Sequence, residues 1–198
     1  MNSRIFLLLT LLLGIFGPLI GGPKPTKLTP QVKIDTAKDL KGKVVQLFAA
    51  KTDRATLLLF TAHDCPISNQ YAPEINRISK RFKPLGVRIY LIYTETDLNR
   101  EDAKKHFHDF GYSCDALLDP EHKLVKYAGA TVTPEAALYN SKGKLTYRGR
   151  IDNLYPELGK RRYAATEHNL IDALISTLAG KPTKSGNTKA IGCFITQK

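Results

Sequence analysis

The sequence predicts an α/β domain in which helices flank a mixed central sheet. Three observations lead to this prediction: apolar strands alternate with helical segments in the first half of the domain, a hairpin follows, and a final helix closes it. Alternating strands and helices favour parallel strand pairs, and a hairpin adds antiparallel ones. The chain has 198 residues, of which 42% are apolar and 24% are charged. This composition is typical of one ordinary globular domain.

The first residues resemble a targeting segment. Arg4 precedes an apolar stretch from Ile5 to Ile20 that is short for a membrane span and fits a secretory signal. The cleavage site is poorly marked, so an uncleaved anchor is the alternative, and it would be the chain's one contact with a membrane. We divide the chain into a signal peptide or anchor at 1–22, a polar proline-containing linker at 23–39, and a domain at 40–198. Export to the periplasm or outside the cell would allow disulfides to persist.

The domain begins with strands predicted from apolar and β-branched runs. These runs cover residues 43–49, 55–62 and 87–93. Between the second and third lies a helix with one continuous apolar stripe, formed by Ile67, Tyr71, Ile75, Ile78 and Phe82. Pro73 lies inside this helix and should bend it, because proline removes a backbone hydrogen bond.

The second half is predicted from capping and turn residues. A helix capped by Asn99 or Asp97 should end at Gly111, and a short strand and a short helix should follow. The remaining predicted elements are a hairpin with strands at 136–139 and 144–151, and a last helix capped by Thr166 and ended by Gly180.

Cys65 lies at the most informative junction of the chain. The apolar run that ends in Phe60-Thr61-Ala62 leads to Cys65, and Pro66 suits the first position of the helix that follows. A thiol at a helix start faces unpaired N–H groups, which favour the thiolate. Because the thiolate is the nucleophile in disulfide exchange and peroxide reduction, we expect Cys65 to be reactive. The alternative is a small apolar residue in the core.

Two separated motifs resemble the thioredoxin superfamily. They are the strand followed by Cys65-Pro-Ile-Ser68, and Thr133-Pro134 before a later strand. Together with Tyr-Arg-Gly-Arg-Ile-Asp at 147–152, they resemble exported redoxins of the peroxiredoxin-like group (alkyl hydroperoxide reductase and thiol-specific antioxidant) over residues 40–198. The resemblance implies a three-layer thioredoxin-like sandwich, thiol chemistry, and a cis Pro134 packed beside the cysteine.

The sequence departs from this group at two positions. Ser68 stands where thioredoxins have a second cysteine, and Ala62 stands where typical peroxiredoxins have a threonine. Thr61 is one residue too early to replace that threonine, although it is kept as a possible supporting residue. Neither the dithiol mechanism nor the peroxide-activating hydroxyl therefore transfers unaltered.

The C-terminal tail supplies a candidate partner for Cys65. A polar loop at 181–189 leads into the apolar segment 190–195, which contains Cys193 and should dock onto the body. Cys193 is a candidate resolving thiol or a second metal ligand, and an unpaired cysteine is the alternative. Cys114 begins a predicted buried strand and should remain free.

Other side chains have weaker assignments. His63 could lower the pKa of Cys65 or bind a metal, and Arg148 could support a thiolate or peroxide, although both also fit a solvated surface. The remaining histidines need no function: His106, His108 and His122 are predicted on polar helix faces, and His168 is unassigned. The formal net charge of +12 is concentrated near the C-terminus, where we expect a solvated surface. Export and the lack of a binding motif argue against nucleic acid.

Two hypotheses follow. The first is an exported thiol-dependent oxidoreductase without a cofactor, in which Cys65 attacks a peroxide or a disulfide and Cys193 resolves the product. Its partners would be a peroxide or disulfide substrate and a thiol reductant, either a protein or a small thiol. The second is a non-enzymatic copper-binding module that uses His63, Cys65 and Cys193, because thiolates and imidazole suit copper.

Overall fold

The computed structural model describes residues 36–48, 52–184 and 186–196. The predicted signal or anchor and most of the predicted linker lie outside these residues. Within them, no helix is long and apolar enough to cross a membrane.

A seven-stranded mixed sheet forms the centre of the domain. The strands are β1 (Thr36–Asp39), β2 (Val44–Gln46), β3 (Ala55–Thr61), β4 (Val87–Tyr93), β5 (Asp115–Leu118), β7 (Glu135–Asn140) and β8 (Leu145–Gly149). Their spatial order is β2-β1-β5-β4-β3-β7-β8. Strands β3, β4 and β5 are parallel, and the other neighbours pair antiparallel. The predicted mixed sheet is thereby confirmed.

Within the described residues, five α-helices surround the sheet. They are α1 (Pro66–Gln70), α2 (Ala72–Phe82), α3 (Arg100–Asp109), α4 (Lys123–Ala128) and α5 (Asn169–Leu178). Alternate residues of β3 face opposite sides: Leu57 and Leu59 join the core with α2 and α5, whereas Leu58 and Phe60 join the core with α4. Both faces of the sheet are covered, which explains why β3 is apolar throughout rather than alternating.

Three boundaries differ from the sequence-based expectations. The sheet begins at Thr36, inside the segment assigned to the linker. Hydrophobic patterning did not predict β1, because this strand is polar and only partly buried. The helix after Cys65 is divided at Tyr71, with Pro73 in the first turn of the second part, where a missing N–H costs little. Thr166 does not cap α5, which begins at Asn169; its side chain instead accepts a hydrogen bond from Asn153 Nδ2.

The C-terminal tail docks on the body, as predicted. Strand β9 (Cys193–Phe194) pairs antiparallel with β6 (Val132–Thr133) in a second, two-stranded sheet. The N–H of Ile195 donates to Thr131 O at 3.0 Å, and the Ile195 side chain joins the α4 side of the core. The tail therefore covers the chain just before Pro134.

Candidate active site

Cys65 occupies the N-cap of α1, directly after the central strand. Its backbone is extended (φ −81°, ψ 110°), and Pro66 is the first helical residue, as the sequence predicts. The N–H of Ser68 donates to Cys65 Sγ at 3.5 Å. The cysteine side chain is buried, with 1% of the residue exposed. The sulfur therefore lies at the start of a short helix, where a backbone N–H can stabilise negative charge on it.

Cys65 and Cys193 form a disulfide. Their Cα atoms are 6.1 Å apart, within the range that disulfides require, and 128 positions separate them in the sequence. The predicted pairing is confirmed. In this state both sulfurs are bonded to each other, so the copper set of His63, Cys65 and Cys193 has thiolate ligands only after reduction.

The disulfide depends on a close approach between two backbones. A Cβ added to Gly192 would lie 2.0 Å from Thr133 O and 2.6 Å from Thr133 C. No side chain fits in this space, so glycine is required where the tail crosses the strand before Pro134. The peptide bond between Thr133 and Pro134 is cis, which agrees with the resemblance.

The carbonyl of Thr133 also contacts the sulfur of Cys65. Cys65 Sγ lies 3.2 Å from Thr133 O. A disulfide sulfur has no proton to donate, so this contact becomes a hydrogen bond only when Cys65 is a thiol. Thr133 and Pro134 thus lie beside Cys65, as expected, whereas their roles in a reaction stay predictions.

The side chain of Arg148 forms its hydrogen bonds with backbone carbonyls rather than with a sulfur. Its guanidinium donates to the carbonyls of Ala128 and Gly129 at 3.2 and 3.0 Å, and Nε lies 3.7 Å from Glu135 Oε1. Glu135 is buried directly after Pro134 and accepts the N–H of Thr131 at 2.8 Å. Arg148 therefore contacts residues before and after β6, the strand that contains Thr133, and its support for Cys65 stays a prediction.

His63 pairs with a residue that the sequence analysis did not identify. Nδ1 of His63 lies 2.7 Å from Glu95 Oε1, and the N–H of His63 donates to the same oxygen. Glu95 follows β4 shortly after its last residue, and His63 follows β3 in the same way. Because β3 and β4 are parallel neighbours, their carboxyl ends meet at one edge of the sheet. That rule is the signal by which Glu95 could have been found.

Two histidines assigned to polar helix faces are in fact buried. His106 contacts Tyr93 OH through Nδ1 at 2.8 Å and Asn69 Oδ1 through Nε2 at 2.9 Å. Burial and the nearby His63 lower the pKa of His106 to about 4. His122 is 2% exposed, and its Nε2 lies 2.7 Å from Thr94 O. Helical periodicity failed here because polar side chains were buried with hydrogen-bond partners.

His106 stands behind the junction that carries Cys65. Asn69, whose amide oxygen contacts His106, donates from Nδ2 to the carbonyl of His63 at 2.9 Å. The chain of contacts therefore runs from the core residue Tyr93 through His106 to the loop just before Cys65. In contrast, His108 is exposed, and His168 precedes α5 without a side-chain capping bond.

The other predicted residues have simpler environments. Thr61 is the last residue of β3 and is fully buried; its carbonyl accepts from the N–H of Thr94 at 3.1 Å. Cys114 is free and buried, as predicted, and burial raises the pKa of its thiol to about 11. A thiol with so high a pKa is a poor nucleophile near neutral pH.

A cleft of about 350 Å³ opens beside the disulfide. Its lining includes both cysteines and three carboxylate residues, Asp64, Glu95 and Asp97. The entrance to the sulfurs is therefore acidic, whereas the chain as a whole has a net charge of +12. Such a cleft disfavours anionic small substrates.

Comparison with known proteins agrees with this geometry. The sequence matches the AhpC/TSA family over residues 28–148, a range that includes Cys65 and Pro134 and ends before the tail. No sequence among the curated proteins matches the chain.

Similar solved structures share the fold. An uncharacterized conserved protein from Geobacillus kaustophilus is 26% identical, with a TM-score of 0.73 over 90% of this chain and 98% of its own. A hypothetical protein from Sinorhizobium meliloti is 23% identical, with a TM-score of 0.74 over 88% and 97%. A secreted Mycobacterium tuberculosis disulfide oxidoreductase homologous to E. coli DsbE is 16% identical, with a TM-score of 0.51 over 73% and 94%. The fold is thus thioredoxin-like.

Proposed function

Because the chain belongs to the AhpC/TSA family, we propose that it is an exported thiol–disulfide oxidoreductase that alternates between the Cys65–Cys193 disulfide and the dithiol. The observation that supports the proposal is the disulfide itself, which joins the junction cysteine to a cysteine on the docked tail. Family and fold place the protein among thioredoxin-like redoxins, whereas the substrate and the reductant belong to the proposal.

The two sulfurs differ in access. Cys65 is 1% exposed, whereas Cys193 is half-buried beside the exposed Phe194. An attacking thiolate therefore reaches Cys193 Sγ first. The bond between the cysteines breaks, a new bond joins the reductant to Cys193, and Cys65 leaves as a thiolate that Ser68 N–H can stabilise. A second reductant thiolate then attacks the reductant sulfur of the mixed disulfide and releases Cys193.

The reduced protein would run the reaction toward a substrate. Cys65 thiolate attacks a substrate disulfide and forms a mixed disulfide, while the substrate's other sulfur leaves as a thiolate. Cys193 then attacks Cys65 Sγ, which restores the internal disulfide and releases the second substrate thiolate. Two electrons pass to the substrate in each cycle. The tail has to move for the first step, because it covers Cys65 in the disulfide state.

Peroxide reduction is the second candidate, and membership of the AhpC/TSA family favours it. In that reaction Cys65 thiolate attacks the peroxide, an alcohol or water leaves, and Cys193 condenses with the sulfenic acid and releases water. Two observations rank disulfide exchange above peroxide reduction. Ala62 stands in place of the usual threonine, and Arg148 contacts Glu135 and nearby carbonyls.

A turnover assay with three variants tests the proposal. Wild type should catalyse reduction of a basic peptide disulfide by dithiothreitol, and Cys65→Ser should lose this activity. Reduced Cys193→Ser, mixed with the substrate after dithiothreitol has been removed, should stop at a mixed disulfide on Cys65, which mass spectrometry detects. Cys114→Ser is the matched control and should retain the wild-type rate. Equal rates in wild type and Cys65→Ser would overturn the proposal, and activity toward hydrogen peroxide alone would favour the second candidate.

Export and the copper alternative stay predictions with their own tests. Cell fractionation and N-terminal sequencing of the recovered protein would test export and cleavage near residue 22. Copper titration of the reduced protein, followed by thiolate charge-transfer absorbance, would test the set of His63, Cys65 and Cys193.

A further inference from the structure

One imidazole and two carboxylates converge beside the disulfide. Ligand atoms of His63, Asp64 and Glu95 all lie within 4.8 Å of one another. Donor atoms that share one metal ion lie at most about 4.4 Å apart, twice a metal–oxygen distance of roughly 2.2 Å. Since Asp64 is exposed, a change of its side-chain rotamer can bring all three atoms to ligand spacing.

Glu95 shows a second and independent sign of an unsatisfied site. Its side chain is only 14% exposed, and Oε1 receives both hydrogen bonds from His63. Oε2 is fully buried and has no hydrogen-bond partner among the residues that the structure describes. Within the same residues, the one ion pair of Glu95 is with His63, and it is made through Oε1. A buried carboxylate oxygen without a donor or a cation is costly, and a bound cation would satisfy it.

We propose that His63, Asp64 and Glu95 bind a divalent transition-metal ion of the Zn²⁺ class. One imidazole nitrogen with two carboxylate oxygens suits such an ion, whereas Mg²⁺ and Ca²⁺ prefer oxygen ligands alone and Cu(I) prefers sulfur. Three protein ligands leave a fourth position for water. The ion takes the place of the proton between His63 Nδ1 and Glu95, while the N–H of His63 continues to hold Oε1.

The site uses one residue of the copper alternative but no sulfur. It is therefore complete while Cys65 and Cys193 are joined, and it can be measured without reducing the protein. Asp64 precedes Cys65 directly, so a bound ion would favour the Cys65 thiolate and make the disulfide easier to reduce. This last consequence rests on the proposed function, whereas the metal site does not.

Metal titration of the oxidised full-length protein tests the site. Calorimetry with Zn²⁺ and absorbance with Co²⁺ should show one ion per chain. His63→Gln and Glu95→Gln should each weaken Zn²⁺ binding by at least about tenfold. His108→Gln is the matched control, because its side chain is 91% exposed on α3 and takes no part in the site. Any affinity tag has to be removed first.

Folding of each variant is checked independently by the intact mass of the disulfide form and by circular dichroism. If Glu95→Gln does not fold, His63→Gln and Asp64→Asn decide the result. No Zn²⁺ binding by oxidised wild type, or equal affinity in His63→Gln and His108→Gln, would overturn the proposal. Displacement of Zn²⁺ by equimolar Ca²⁺ would overturn the assignment to a transition-metal ion.

Discussion

The two cysteines of the disulfide are held by very different amounts of structure. Cys65 follows β3, which pairs with β4 on one edge and with β7 on the other, and it opens a helix directly behind the core. Cys193 lies in β9, a strand of two residues that pairs with the equally short β6. Two residue pairs join β9 to β6, whereas seven join β3 to β4, so local opening of the tail at β9 costs less free energy than opening of the junction. The comparison identifies the tail as the half that moves in a redox cycle.

The largest expected effect on closure of the disulfide comes from removing the space that the tail needs. In Gly192→Ala the new Cβ would lie 2.0 Å from the backbone oxygen of Thr133, which cannot move independently of the strand. We expect the equilibrium for closing the Cys65–Cys193 disulfide to fall by about fivefold or more, because an overlap of this kind costs about 1–3 kcal/mol. Alkylation and mass spectrometry in a glutathione redox buffer measure the closed fraction.

Gly186→Ala is the control for this substitution. Gly186 lies in the same tail at φ +54°, and an added Cβ would meet nothing within 4 Å. An alanine there has the backbone cost of a positive φ but no overlap, so it should lose clearly less closure than Gly192→Ala. Equal loss of closure in the two variants would show that chain stiffness, rather than contact with Thr133, controls docking.

Reduction of the disulfide should have the largest effect on the stability of the whole domain. Opening a link between residues 128 positions apart releases conformational freedom in the unfolded chain. We expect the free energy of unfolding to fall by about 2–4 kcal/mol, measured by urea denaturation with and without a phosphine reductant. Cys193→Ser should not respond to the reductant.

Hydrogen exchange can identify the part of the molecule that is destabilised by reduction. On reduction, the amides of Thr188 and Ile195, which bond to Arg148 O and Thr131 O, should lose protection. Amides of β3 and β4 should keep theirs. Loss of protection in β3 equal to that in the tail would contradict the division into a fixed and a moving half.

The smallest expected effect concerns the support behind the junction. The pKa of His106 in the folded protein is lowered to about 4, from the usual value of 6.5. Between these values the unfolded chain binds the proton and the folded protein does not. The stability that neutral His106 contributes is therefore complete above pH 6.5 and is lost as the pH falls toward 4.

His106→Gln removes this titration while its amide can still bond to Tyr93 and Asn69. Urea midpoints at pH 7 and pH 4.5 should differ less in His106→Gln than in wild type. The carboxylates that also titrate in this range are the same in both proteins. The difference between the two proteins in the change of the urea midpoint with pH therefore reports His106. An identical change of the midpoint in the two proteins would show that protonation of His106 does not destabilise the folded protein.

Local patterns were sufficient for the central part of the site. The apolar run of β3, the proline at the helix start and the position of Cys65 are all properties of neighbouring residues, and the structure places them as predicted. The apolar end of the tail likewise predicted docking and the pairing with Cys193. Burial of a run of apolar residues is favourable whatever covers it, so such runs can be recognised without knowing their partners.

Only the tertiary structure decided which polar groups meet. Glu95 reaches His63 because β3 and β4 are parallel neighbours. His106 can be buried because its two ring nitrogens form hydrogen bonds with Tyr93 and Asn69. Strand β1 joins the sheet although it is polar. Gly192 is required by a contact with Thr133, far away in the chain. Burial of a polar group is favourable only with a partner in the right geometry, and that partner is supplied by residues distant in sequence.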